Sequence, residues 1–161
     1  MLGQKVLLNQ MPIAIKDSKI DISSEETTKE LAKDLTHYLK GGEIVYLYGE
    51  MGVGKTTFVR HLINQFQKNK KLHITEVTSP TFNLLNEYDI NDLVIKHYDL
   101  FRLKDESEIT NLDLFENNQN TITLIEWPQL ISKNKSIKTI DLIFSYENEL
   151  NNRSVKIDGL N

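Results

Sequence analysis

The chain has 161 residues, 39% hydrophobic and 26% charged, a balance that suits one soluble domain with its own core. A formal net charge of −4 argues against a free-standing nucleic-acid binder, which carries a broad basic face. The absence of cysteine excludes disulfides, cysteine-ligated zinc and thiol catalysis, and no apolar run is long enough to span a membrane.

Residues 1–18 hold some apolar positions, but Gln4, Lys5, Asn9, Gln10 and Pro12 interrupt them and no small-residue cleavage pattern follows. They read as an extension to a single domain spanning 1–161, with the cytoplasm as the expected location. Lys19–Ile22 reads as a short strand. Ser23 with Glu26 three residues on has the form of a capping box. The helix that follows sets Leu31, Leu35, Tyr38 and Leu39 on one face, and Gly41-Gly42 ends it.

Ile44–Tyr48 is a continuous run of β-formers, as in a strand buried on both faces of a parallel sheet. A glycine loop follows, and then Phe58, Val59, Leu62, Ile63 and Phe66 recur at helical spacing. The basic run Lys68-Asn69-Lys70-Lys71 reads as the solvated end of that helix, favoured by its dipole. Leu84–Tyr88 and Leu93–Tyr98 read as a hairpin turning at Asn91-Asp92. Asp105 is placed to cap a short helix through Glu108. Thr121–Ile125 reads as a second buried strand, closed by Glu126-Trp127-Pro128. Ile137–Phe144 and Arg153–Ile157 read as antiparallel neighbours joined by an asparagine-rich turn.

Gly49-Glu50-Met51-Gly52-Val53-Gly54-Lys55-Thr56 meets the pattern G-x-x-x-x-G-K-[ST] in full, between a strand and a helix. Such a loop wraps a phosphate with inward-pointing backbone N–H groups, and glycine permits the positive φ angles this needs. The following helix aims its positive end at the same phosphates. Lys55 then reaches the β and γ oxygens, the Thr56 hydroxyl ligates Mg²⁺, and Met51, Gly52, Val53 and Thr57 complete the wall around ATP. The expected fold is therefore α/β: a P-loop NTPase-like open mixed sheet with helices on both faces.

Mg²⁺ takes oxygen ligands and keeps several waters. P-loop proteins set an acidic residue at the end of a neighbouring buried strand, and Glu126 after Thr123-Leu124-Ile125 has that position. Asp99 is its rival. It follows His97 by two, so both side chains share a strand face, and either one is placed to order an attacking water or bridge to the metal. Trp127 fits two roles, a lid over the site or a buried anchor.

Four segments come in a fixed order: the glycine loop, Thr78-Ser79-Pro80-Thr81-Phe82, His97-Tyr98-Asp99-Leu100-Phe101-Arg102-Leu103, and Ile125-Glu126-Trp127-Pro128. Together they resemble the TsaE (YjeE) family over nearly the whole chain from Lys19 to Ile157. The resemblance implies a small ATPase needed for threonylcarbamoyladenosine in tRNA. It would act with TsaD, which carries the transfer chemistry, and TsaB, meeting tRNA through that complex. It implies Thr56 and Glu126 on Mg²⁺, Asp99 as the acidic residue of the H-x-D stretch, and a switch loop at Ser79, Pro80, Thr81 and Phe82. Thr28 and Arg153 resemble positions near the nucleotide. Phe101 departs from the family, which often has Tyr there. Physical reasoning supports a switch at Ser79-Pro80-Thr81: proline restrains the loop while two hydroxyls can meet a γ-phosphate.

Other readings of the glycine loop make distinct demands. A small-molecule kinase of this size uses an arginine-rich lid, whereas Arg60, Arg102 and Arg153 are far apart in sequence. A GTPase needs Asn-Lys-x-Asp; the nearest stretch, Asn134-Lys135-Ser136-Ile137, lacks the acid, and no Asp-x-x-Gly occurs. A nucleotide-sensing adaptor with little turnover keeps the same site and differs in rate alone.

Overall fold

The computed structural model describes residues 19–116, 119–132, 137–149 and 151–160. The extension expected over 1–18 and the stretch 134–136 lie outside the described residues. Seven strands form one sheet: β1 (Lys19–Asp21), β2 (Ile44–Tyr48), β3 (Leu85–Ile90), β4 (Leu93–Asp99), β5 (Thr121–Glu126), β6 (Thr139–Tyr146) and β7 (Arg153–Asp158). Their spatial order is β1-β7-β6-β2-β5-β4-β3. β2 runs parallel to both β5 and β6, and β4 runs parallel to β5. Antiparallel β3 and the β7–β1 pair complete the two edges.

The central strands are buried on both faces, which is why β2 and β5 read as near-continuous apolar runs. Alternate residues serve two cores. Val45, Leu47, Ile122, Leu124 and Leu142 face the two α-helices, α1 (Glu25–Leu35) and α2 (Lys55–Asn69), meeting Leu31, Leu35, Phe58, Leu62 and Ile63. Ile44, Tyr46, Tyr98 and Ile125 face the other way, under Leu100, Leu114 and the half-buried Leu103, Ile109 and Leu112. Helix thus covers both faces, as expected. One face carries the α-helices. The other carries the short 3₁₀ turns Glu106–Glu108 and Thr110–Leu112, the first capped by Asp105 through the Ser107 amide.

Several boundaries differ from the sequence reading. The cap of α1 is Ser24, which accepts from the Glu26 amide at 3.2 Å; Ser23 is occupied instead by the Arg153 amide at 2.9 Å and lends its own N–H to Asp21. The helix closes at Leu35, and Tyr38 and Leu39 reach the core from a turn tied to the Leu35 carbonyl. The chain then passes so close to the Gln119 carbonyl that a Cβ at Gly41, φ +121°, would collide with it. The hairpin begins one residue late, because Leu84 sits at φ +66°, and its first strand runs on to Ile90.

The parallel register sets the site. Leu47 pairs with Glu126 and Asp99 pairs with Glu126, so the carboxyl ends of β2, β4 and β5 lie side by side. Open α/β sheets bind ligands in the crevice outside those strand ends.

Candidate nucleotide site

At the carboxyl end of β2 the chain turns through Gly49, Gly52 and Gly54 at φ +145°, +78° and +116°, conformations that side chains resist. A Cβ on Gly49 would press on the Phe144 carbonyl and on Val53 at 2.9 Å. Gly54 is the residue before α2, which has no side-chain cap; its first turn leaves N–H groups for an incoming acceptor. The Tyr146 hydroxyl, at the end of β6, donates to the Met51 carbonyl at 3.3 Å and braces the loop from outside.

The loop opens on a cavity of about 340 Å³. Met51, Gly52, Gly54, Lys55, Thr56 and Thr57 form one wall, and Ser79, Thr81, Asp99, Phe101, Glu126, Trp127 and Arg153 the others. Lys55 is buried; its ammonium donates to the Gly49 carbonyl and lies 3.5 Å from the centre of the Trp127 ring. Burial pushes the Lys55 ammonium below its usual value, and the Glu126 and Asp99 carboxylates push back part of the way. Trp127 holds φ +58° and stacks against Phe101 with ring centres 4.9 Å apart. It lies over the lysine at the cavity wall and also packs, half-buried, against the second core, so it combines the two positions considered from sequence.

Glu126 is 2% exposed. It accepts from the Thr56 hydroxyl at 3.0 Å through Oε1 and 3.3 Å through Oε2. The His97 Nε2 lies 2.6 Å from Oε2. Asp99 is held separately: Oδ2 accepts from the Ser79 hydroxyl at 2.6 Å and Oδ1 from the Phe101 amide at 3.0 Å, while the Thr81 hydroxyl donates to Ser79 at 3.2 Å. The two acids considered from sequence thus divide the cavity. Glu126 meets Thr56 on α2, and Asp99 meets the Ser79–Thr81 loop.

Among the described residues no group of three or more His, Cys, Asp or Glu is arranged to hold a metal unaided. The donor set still suits Mg²⁺. A hydroxyl and a carboxylate converge beside the phosphate loop, and such ions take their remaining oxygens from phosphate and water.

The other named residues sit as follows. Arg153, from the far end of the chain, lines the cavity; its Nη2 donates to the Ser23 carbonyl at 3.4 Å and its Nε is buried without a hydrogen-bond partner. Thr28 is buried in α1 and does not line the cavity. Val53 is in the core and Pro80 is buried, while Phe82 is 83% exposed with the Arg102 guanidinium 5.3 Å from its ring centre. Sequence reasoning gave no role to Tyr146 or Phe101. Their positions depend on which strands become neighbours, and no local spacing signals that.

A glycine loop at the end of a central parallel strand, with Lys55 and Thr56 opening the next helix, defines the class: a P-loop protein. A family profile described as threonylcarbamoyl adenosine biosynthesis protein TsaE matches residues 22–155, and the chain belongs to the TsaE family. Proteins named tRNA threonylcarbamoyladenosine biosynthesis protein TsaE are similar to it. That of Rickettsia conorii is 44% identical over 110 residues, covering 68% of this chain and 61% of the relative. That of Bacillus subtilis is 36% identical over 120 residues, covering 74% and 72%. The match thus spans somewhat less than two thirds of the Rickettsia conorii protein. The crystal structure of Bacillus subtilis YdiB superposes with a TM-score of 0.66 at 21% identity, over 90% of this chain and 86% of that one, and shares the fold. No helix among the described residues is long and apolar enough to cross a membrane.

Proposed function

We propose that the protein is a single-domain ATPase that binds ATP with Mg²⁺ and serves the threonylcarbamoyladenosine modification of tRNA in the cytoplasm, acting with TsaD and TsaB and meeting tRNA through them. The observation that carries the nucleotide reading is the meeting of the Thr56 hydroxyl with the Glu126 carboxylate at 3.0 Å, beside Lys55 and the glycine loop. The pathway rests on family membership and on the names of the relatives.

In this reading the loop amides and Lys55 hold the β- and γ-phosphates. The lysine exchanges the Gly49 carbonyl and the Trp127 face for phosphate oxygens, which suit an ammonium better. Thr56 and Glu126 would hold Mg²⁺, which neutralises charge on the phosphate oxygens. Ser79 and Thr81, gathered on Asp99, are within the same cavity and are the groups through which a γ-phosphate would set the conformation of their loop. Phosphoryl transfer depends on charge stabilisation, and an arginine supplied by a partner is worth roughly 10³–10⁵ in rate. Turnover alone is therefore expected to be slow. Steady-state ATP hydrolysis with and without the TsaD–TsaB pair tests this. Acceleration by the pair is the expected result; equal turnover removes the partner role, and phosphate appearing on a metabolite instead of water makes the protein a kinase.

A further inference from the structure

His97 is the one fully buried histidine among the described residues, at 0% exposure, and the activity proposed above gives it no task. An imidazole inside a sheet is costly unless hydrogen-bonded. Its Nδ1 has no hydrogen-bond partner among the described residues, so the whole return on burying it comes through Nε2. A β-branched aliphatic residue would fill a central strand at lower cost, as Ile95 does on the same face two residues earlier. The histidine is therefore poorly explained as filler.

Its one side-chain hydrogen bond among the described residues is with Glu126. In the parallel register His97 pairs with Leu124, and Glu126 is the next residue on the same face of β5. The diagonal brings Nε2 to 2.6 Å from Oε2. An ionised carboxylate only accepts, so Nε2 carries the proton and donates. Thr56 donates its single hydroxyl proton to the same carboxylate, nearest to Oε1. A hydroxyl whose proton is committed in one direction presents its lone pairs in the other, toward the cavity.

From this chain of donors we propose that His97 is a positioning residue: it fixes the Glu126 carboxylate and, through it, the direction in which Thr56 offers its lone pairs to a divalent cation bound with the nucleotide. The proposal rests on the metal–nucleotide reading of the cavity. Without His97 the carboxylate is held by a hydroxyl that must itself be held. Loss of such an outer hydrogen bond typically lowers metal affinity or activity roughly 10–100-fold.

Calorimetric titration of ATP, with Mg²⁺ and with the metal chelated, tests it on the full chain. Wild type is expected to gain affinity from Mg²⁺. His97→Leu, close in volume, is expected to lose roughly 10–100-fold of that gain while binding metal-free ATP as wild type does. His97→Gln, whose amide nitrogen reaches about as far as Nε2, is expected to restore most of it, and His97→Asn, which is shorter, is not. On a Glu126→Ala background His97→Leu should cost nothing further. The proposal is overturned if His97→Leu keeps the Mg²⁺ gain, if it weakens metal-free and Mg²⁺-loaded binding alike, or if its loss adds to that of Glu126→Ala. Should the leucine variant not fold, equal behaviour of the Gln and Asn variants overturns it. A wild-type protein that gains nothing from Mg²⁺ removes the metal–nucleotide reading itself, a result visible before any variant is made.

Discussion

Replacing Thr56 with valine keeps the shape of the side chain and deletes the hydroxyl, so the change isolates one donor. Glu126, 2% exposed, then faces a methyl where it had a hydrogen bond of 3.0 Å. A hydrogen bond to a charged group contributes about 1.5–3 kcal/mol. Thr56 is half-buried at the cavity wall, so water can replace part of it and the lower figure applies. At about 2–4 °C per kcal/mol for a domain of this size, the apo protein should melt roughly 3–6 °C lower. The ligand effect is separate. ATP at a hundred times its dissociation constant adds about 2.7 kcal/mol, or roughly 5–11 °C. Differential scanning fluorimetry in four conditions (apo, Mg²⁺, ATP, and both) should show wild type gaining more from ATP with Mg²⁺ than from ATP alone. Thr56→Val should keep the shift from ATP alone and lose the increment from Mg²⁺. A variant that melts with wild type and retains the full increment would refute the assignment of Thr56 to the metal.

Other expectations follow from single contacts. Burial lowers the Lys55 ammonium from its ordinary 10.5, so between the folded and unfolded values the unfolded chain binds more protons and stability rises with pH. The penalty is fully present below the folded value; the difference in unfolding free energy between wild type and Lys55→Met should therefore shift in favour of wild type as pH climbs from there toward 10.5, and a pH-independent difference would contradict the burial argument. Tyr146→Phe removes the bond to the Met51 carbonyl, worth about 0.5–1.5 kcal/mol, and should weaken ATP two- to tenfold by calorimetry if the brace holds the loop ready. Phe58→Ala empties the space under α2 beside Phe144, at about 3–5 kcal/mol, and should lower the melting temperature by roughly 6–20 °C in apo and loaded protein alike.

What could be read in advance was what local chemistry dictates. The glycine loop was legible because the positive φ angles at Gly49, Gly52 and Gly54 have few other solutions, and β2 and β5 because strands buried on both faces must be apolar throughout. The hairpin turn at Asn91-Asp92 was legible for the same kind of reason, Asn91 taking φ +55°. The cap of α1 was misplaced by one residue because Ser23, with Glu26 three positions on, fits the capping-box pattern and Ser24, followed at that spacing by Thr27, does not. The choice was made by Arg153, about 130 positions away, whose amide engages Ser23. Strand order was not legible, and with it went every contact that depends on neighbours. Lys55 lies over Trp127, Tyr146 bonds Met51, and His97 reaches Glu126 because β4, β5, β2 and β6 lie in that sequence across the sheet. Arg153 reached the cavity wall by the same route, and sequence suggested it only through resemblance to a family.

The account depends on the loop from Gly49 to Thr56 gripping a triphosphate. Equilibrium dialysis of labelled ATP against folded wild type and Lys55→Ala, with Mg²⁺ present, addresses that most directly. Stoichiometric, saturable retention by wild type and affinity at least about tenfold weaker in the variant, the loss of one charge-assisted contact, is the expected result. No retention by wild type, or equal retention by both, would contradict it.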